Sequence, residues 1–217
     1  GLALDDHSNH INIEHCYFTD CSYALRVITG SHDIRIFSTA FYGGNSAIVL
    51  DNGTREIEVL NNVFNQQYNG AINANSTRNI VIEGNQFNNN STGMYINSTI
   101  NSVIRNNRFN IWSQPGISLA YNDTISVYNN YIYTYGTSPG IGIYMSSCSN
   151  AGIYFNSLNI ANTDIGGESI GFEIQGGSQN NIKDNIFNIK TAGYPVWIVA
   201  GTTGFSLDYN DYYSPSG

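Results

Sequence analysis

The sequence predicts an all-β fold: a right-handed parallel β-helix of about nine rungs, 22–29 residues each, with an asparagine ladder. Three observations predict it. A short stretch recurs along the chain, apolar residues follow a strand period around each copy, and one column of the repeat is almost all asparagine. The clearest copies of the stretch are Val59-Leu60-Asn61-Asn62-Val63-Phe64, Ile82-Glu83-Gly84-Asn85-Gln86-Phe87, Ile104-Arg105-Asn106-Asn107-Arg108-Phe109 and Val127-Tyr128-Asn129-Asn130-Tyr131-Ile132. With the weaker copies, the reference residues are Phe18, Phe41, Phe64, Phe87, Phe109, Ile132, Leu158, Phe187 and Tyr212. They stand 23, 23, 23, 22, 23, 26, 29 and 25 residues apart. Such a period marks a stacked repeat, because one unit cannot bury its apolar face alone.

Each rung can be built around its reference residue. Five positions earlier every copy is aliphatic, from Ile13 and Ile36 through to Leu207. Seven positions earlier Ile11, Ile34, Ile57, Ile80 and Ile125 recur, with exceptions at Ser102, Ala151 and Asn180. A spacing of two is the period of a strand with one buried face. A further strand follows the reference, with Leu25/Val27, Ile48/Leu50, Met94/Ile96, Ile117/Leu119 and Ile141/Ile143, often after a glycine (Gly70, Gly93, Gly116, Gly140). No stretch carries a sustained helical period. At roughly 3.3 Å per residue, a 23-residue rung has a contour near ~75 Å, which suits three short strands and three turns. Right-handedness follows from the strong bias of parallel crossovers.

The column two before the reference reads Cys16, Thr39, Asn62, Asn85, Asn107, Asn130, Asn156, Asn185 and Asn210. Asparagine tolerates left-handed backbone and suits a sharp turn between strands. Its amide can also donate to a carbonyl of the neighbouring rung, at a net gain of about 1 kcal/mol per bond. A row of polar ligands would look the same in one dimension. A ladder needs the residue in every rung and a binding site does not, so the structural reading is preferred.

Residues 1–217 are expected to form one elongated domain, either a piece of a longer chain or a stackable unit. Residues 1–8 read as the end of an earlier rung, and the ends of the stack look open, which invites end-to-end self-association. Gly1 is no initiator, and no signal peptide is visible. Asparagine numbers 32, charged residues are only 11%, and the net charge is −8. That balance argues against nucleic acid or an anionic membrane as partner. No apolar run reaches the roughly 20 residues needed for membrane insertion. Few lysines and many Asn, Ser, Thr and Tyr residues suggest an extracellular or cell-surface setting. Cys16, Cys21 and Cys148 match no metal spacing; Cys16 is expected as a packed thiol, with a Cys16–Cys21 bridge as the alternative. Sequons at Asn52, Asn75, Asn89, Asn90, Asn97 and Asn122 permit glycosylation, although this composition generates sequons by chance. Extra residues enter the later rungs at 133–139, 159–169 and 191–195, where loops suited to binding are expected.

Two sets of residues carry candidate chemistry. The N-terminal rungs hold Asp5, Asp6, Glu14, His15, Asp20 and Arg26 together with His7, His10 and His32. Carboxylates beside an arginine suit Ca²⁺ and an acidic sugar, with an Arg or His as base. Here Ile13-Glu14-His15-Cys16-Tyr17-Phe18 resembles the pectate lyase strand W-I-D-H-C-x-F/L. That resemblance implies Glu14 at a calcium position. The charged cluster itself offers Asp5 and Asp6 as further candidates for the metal and Glu14, His15, Asp20 and Arg26 for catalysis. The sequence departs from that family at Asp20-Cys21, where Asp-Gly is expected, and lacks its Arg-x-Pro-x-x-Arg segment. The Gly-His-Gly and Arg-Ile-Lys motifs of polygalacturonases are also missing. Over its full length the chain resembles the pectate-lyase-like superfamily of β-helix repeat proteins, found in carbohydrate-binding and sugar-hydrolysis modules and on microbial surfaces.

The second set is aromatic: Trp112, Tyr128, Tyr131, Tyr133, Tyr135 and Tyr154 crowd adjacent rungs. Position four before the reference should face outward, which sets Tyr128 beside Tyr154, with Arg105 and Glu83 on preceding rungs. Flat rings over a polar groove suit sugar faces; cross-strand aromatic packing is the structural alternative. The expectation is therefore a non-catalytic extracellular scaffold that contacts polysaccharide and needs no cofactor. The alternatives are a polysaccharide lyase or hydrolase, with Ca²⁺ in the lyase case, and a self-stacking filament.

Overall fold

The computed structural model describes residues 1–112, 115–163 and 167–215. The chain coils as a parallel β-helix whose strands fall into three nine-stranded sheets. Sheet A runs from Leu2–Leu4 to Gly193–Ile198, sheet B from Asn9–Glu14 to Phe205–Asp208, and sheet C from Tyr17–Thr19 to Asp211–Tyr213. Each rung supplies one strand to each sheet, as the 23-residue contour requires. At about 4.8 Å per rung, the stack is roughly 40 Å tall.

The core is the set of inward columns. All nine reference residues lie in one register line of sheet C, from Phe18 to Tyr212. Phe18, Phe41, Phe64, Phe87 and Phe109 stack nearly face to face, with centroids 4.4–5.2 Å apart and planes within 18°. Stacking of identical residues is what parallel in-register pairing imposes. Opposite this column stand Ala24, Ala47, Ala71, Gly93, Gly116, Gly142 and Gly171, each just before its rung's first inward sheet A residue. They are small because space is short: a Cβ on Gly93 would meet the Gly116 carbonyl oxygen and stand 2.7 Å from Phe109 Cδ1. In this column Ile117 pairs with Ile143, and Leu119 with Met145. The register therefore differs from the expected Ile141/Ile143 by two residues, and Gly142 rather than Gly140 continues the glycine column. The extra residues of that rung all precede the strand and displace the apparent repeat.

The ladder is present and almost wholly buried. Asn107 shows the pattern. Its Nδ2 donates to the Ile82 carbonyl of the preceding rung (2.9 Å) and to Asn130 Oδ1 of the next (3.0 Å), and its backbone N–H donates to the same Oδ1 (3.0 Å). The same three bonds recur at Asn62, Asn85, Asn130, Asn156 and Asn185, and Asn210 donates to the Ile182 carbonyl. The left-handed turn residue is not the ladder asparagine, as expected from the sequence, but the residue before it. His15, Ser38, Asn61, Gly84, Asn106, Asn129, Phe155, Asp184 and Tyr209 all have φ between 49° and 68°. The reversal there turns the next side chain inward, where its amide reaches both neighbouring rungs. Cys16 heads this column but is exposed, because no earlier rung of the described chain covers it. All three cysteines are free thiols.

The A-to-B corner repeats the same device with smaller residues. Left-handed Gly53, Ser76 and Ser98 precede buried Thr54, Thr77 and Thr99, and the Thr77 and Thr99 hydroxyls are 2.9 Å apart. The sequons at Asn52, Asn75 and Asn97 are this corner motif read as sequence, a surface-side asparagine before the left-handed residue and the buried threonine. Corner chemistry, rather than chance composition, generates them.

The corners differ in freedom. Every B-to-C corner has two residues, whereas the C-to-A corner carries segments 112–116, 135–140 and 161–168 in the later rungs. The longest segments thus gather along one edge of the prism, while the A-to-B corner lengthens at 147–151 and 199–204, and residues 193–195 of the expected loop 191–195 begin the strand Gly193–Ile198. Residues 164–166 of the expected loop 159–169 lie outside the described residues.

Candidate functional site

The C-to-A edge and the outward face of sheet C form two adjoining grooves. The first, about 370 Å³, follows the corner. Tyr68, Trp112 and Tyr135 supply aromatic walls, and Asp20, Gln66 and Asn89 supply polar groups. Tyr68 and Trp112 are 77% and 46% exposed, so their rings present open faces. The Tyr135 hydroxyl donates to Asn89 Oδ1 (2.7 Å), pinning the ring across two rungs. Burial, and to a lesser degree Tyr133, pushes the Tyr135 phenol pKa up, which keeps it a donor and not a base. Gln67 belongs to a second short ladder: its amide nitrogen serves three backbone carbonyls, while its Oε1 is buried without a partner in the protein.

The second groove, also about 370 Å³, lies on sheet C. Arg108, Tyr131, Tyr133, Asn110, Asn159 and Lys190 line it. Residues at every second strand position share a face, so Tyr131 and Tyr133 both point outward, with Arg108 and Asn110 beside them in register. Neither Arg108 nor Lys190 is paired with a carboxylate among the described residues. The Arg108 guanidinium lies 5.9 Å from the Tyr131 ring centroid, and Asn110 Oδ1 is shielded and unpartnered. Tyr133 and Tyr135 stack at 5.7 Å and join the two grooves. Along sheet C, the sole acidic outward residue among those described is Asp211 in the last rung. In a chain of net charge −8, this is where an anion meets least repulsion.

The sequence-predicted residues separate in space. Trp112, Tyr131, Tyr133 and Tyr135 converge on these grooves, and Asp20 joins them at the far end of the corner. Tyr128 and Tyr154 lie on sheet B, paired in register beside Arg105 and Glu83 as expected. There Arg105 donates to Glu83 Oε2 (2.7 Å) and to the Tyr128 hydroxyl (2.9 Å), so Tyr128 is engaged within the protein. The Arg105 hydrogen bond holds the Glu83 carboxyl below the usual carboxylate range, with Asn106 assisting against a partial cost of burial.

Glu14, His15, Asp20 and Arg26 fall on sheet B, the B-to-C corner, the C-to-A corner and sheet A respectively, and do not form one site. Asp5 and Asp6 sit at the A-to-B corner, at the opposite end of the strand Asn9–Glu14 from Glu14. Among the described residues no three His, Cys, Asp or Glu side chains gather to hold a metal ion. Tyr68, Gln66, Asn89, Arg108 and Lys190 were not predicted. Only their position across the stack, many residues apart in sequence, brings them to the grooves.

Comparison with solved structures gives the fold a wider setting. The A-module of the mannuronan C-5 epimerase AlgE6 from Azotobacter vinelandii matches with TM-score 0.76 at 16% identity, covering 96% of this chain and 62% of its own. The periplasmic alginate epimerase AlgG matches with TM-score 0.74 at 12% identity, covering 94% and 50%. A DFA-IIIase from Arthrobacter chlorophenolicus A6, in complex with DFA-III, matches with TM-score 0.67 at 12% identity, covering 86% and 58%. The chain thus spans about half to three-fifths of these proteins, and at such identities the likeness is one of fold. Curated protein sequences gave no match. A family model described as a right handed beta helix region matches residues 1–158, and with the three in-register sheets and the continuous ladder it follows that the chain belongs to this right-handed β-helix family.

Proposed function

We propose that the chain is a non-catalytic, secreted or surface β-helix module that holds a linear acidic polysaccharide along sheet C and the C-to-A corner. One observation carries this reading: two unpaired cations and two outward tyrosines line one groove that continues into an aromatic corner. Tyrosine faces suit the C–H patches of sugar rings, and Arg108 and Lys190 attract a carboxylate. From Asp20 in the first full rung to Lys190 in the eighth, the path is about 34 Å, enough for several sugar units. The epimerase names among the structural neighbours concern mannuronan and alginate, which are polyuronates, and support the same substrate class. Among the described residues no helix is long and apolar enough to cross a membrane.

Affinity electrophoresis through polygalacturonate or alginate tests this. The parent chain should be retarded, and Trp112→Ala combined with Arg108→Ala should weaken binding by about tenfold or more, equivalent to roughly 1.4 kcal/mol. Retardation should fall with added salt. Equal mobility of parent and folded variant would end the proposal. A catalytic reading has one observation in its favour, the carboxylate of Asp20 in the aromatic groove. A lone carboxylate lacks the partner that glycoside hydrolysis needs; release of new reducing ends by hydrolysis, or of unsaturated uronates by elimination, lost in Asp20→Asn, would establish that reading instead.

A further inference from the structure

Two arginines stand side by side at the start of sheet B. Arg55 and Arg78 are register partners on adjacent strands, and His32 precedes them in the same column. Like charges set directly opposite one another are destabilising. Neither arginine lies within ion-pair distance of a carboxylate among the described residues. The two acids nearest in sequence are engaged elsewhere. Asp51 Oδ1 accepts from the Asn52 N–H (2.8 Å) and from Asn75 Nδ2 (3.0 Å), and Glu56 faces His32 at 3.8 Å. Arg55 Nη1 reaches back to the Gly30 carbonyl (3.3 Å), whereas Arg78 is exposed and lines a cavity of about 430 Å³ at the A-to-B corner. Gly53, Ser76, Ser98 and Ile100 line it too. Ser76 and Ser98 hold the left-handed corner position on consecutive rungs, at φ 53° and 51°. Gly53 holds that position one rung earlier, and a Cβ there would meet nothing within 4 Å, so the cavity is open at this end. Beyond Arg78 the surface turns apolar: its next register partner is Ile100, half exposed, and Tyr121 follows Ser98 at the corner, 67% exposed.

We propose that this corner binds a phosphate group. The donors decide the class of ligand. The planar fork of Arg78, the hydroxyls of Ser76 and Ser98 and the second guanidinium one rung away present more donors than the two oxygens of a carboxylate can use. A phosphate offers three strong acceptor oxygens and close to two negative charges. A dianion at Arg78 also offsets the repulsion from Arg55, which a neutral ligand cannot do. Ile100 and Tyr121 stand one and two rungs further along the stack, at about 4.8 Å per rung. An ester that carries an apolar or aromatic group can therefore lie on them while its phosphate stays at Arg78. The site is on the edge where sheets A and B meet. It is independent of the sheet C reading and is tested apart from it.

Titration of the chain with inorganic phosphate, phenyl phosphate and acetate at constant ionic strength, followed through its backbone amide NMR shifts, tests the site. Both phosphates should shift Gly53, Ser76, Arg78 and Ser98 saturably, and acetate should leave them in place. Tighter binding of phenyl phosphate, with the advantage lost in Ile100→Ala, assigns the site to an ester; equal binding of the two assigns it to the free ion. Arg78→Ala should weaken phosphate binding by about tenfold or more. Arg78→Lys should recover only part of it, because an ammonium lacks the bidentate fork. Ser76→Ala combined with Ser98→Ala should weaken it about threefold. Arg78 is exposed, so its variants should keep the parent spectrum away from the corner. No saturable shift with either phosphate, the same shifts with acetate, or binding unchanged in folded Arg78→Ala would overturn the proposal.

Discussion

At the residue scale, one pair of neighbours does most of the folding work: a left-handed residue followed by a buried polar one. The left-handed position accepts His, Ser, Asn, Gly, Phe, Asp and Tyr. Only backbone sign matters there, and the side chain points to solvent. The next position is strict, because its amide must satisfy backbone groups on two rungs. That asymmetry explains what the sequence displays. The Asn62–Asn210 column was legible because every rung needs it; the left-handed column was not, because its members share no chemistry. It also sets a measurable cost. Asn107→Ala removes two donated and two accepted side-chain bonds and strands the Ile82 carbonyl and the Asn85 N–H in the core. Stability to urea should fall by about 2–4 kcal/mol, whereas Asn106→Ser, at the left-handed position, should change it by less than about 1 kcal/mol.

At the scale of the element, the three corners carry different duties. The B-to-C corner keeps two residues in all nine rungs because the ladder fixes its register. The C-to-A corner varies in length and gathers Trp112, Tyr135 and the inserted segments. Two glycines inserted between Gly136 and Pro139 should therefore shift the melting temperature little, while the same insertion between Asn106 and Asn107 should lower it sharply or abolish folding. Differential scanning calorimetry separates these outcomes, and similar losses at both sites would contradict the division of duties. Insertions near residues 133–139 and 159–169 were visible in the repeat spacing. Their convergence on one edge was not, because the repeat alone does not say which corner absorbs each extra residue. The two-residue shift that places Ile143 and Met145 in the core column has the same origin.

At the scale of the whole molecule, stacking turns a modest composition into distinct faces. A chain with only eight Lys and Arg residues spends most of them on sheets A and B, yet sets Arg108 and Lys190 beside an outward face of sheet C that is nearly free of acids. The aromatic cluster was legible as a group, but it splits between sheet B, where Tyr128 serves Arg105, and the sheet C grooves. The acidic and histidine-bearing N-terminal rungs looked like one patch in sequence and are spread around the prism, because residues five or six apart on a rung occupy different sides. Function therefore follows columns across rungs rather than neighbours along the chain.

The most direct measurement is hydrogen–deuterium exchange with and without polygalacturonate. The account predicts added protection in the sheet C strands Arg108–Ile111, Tyr131–Thr134 and Ser157–Ile160 and in corner segments 66–69 and 135–140, with sheet B unchanged. Protection confined to sheet B around Tyr128 and Tyr154, or no protection anywhere at saturating polymer, would contradict it.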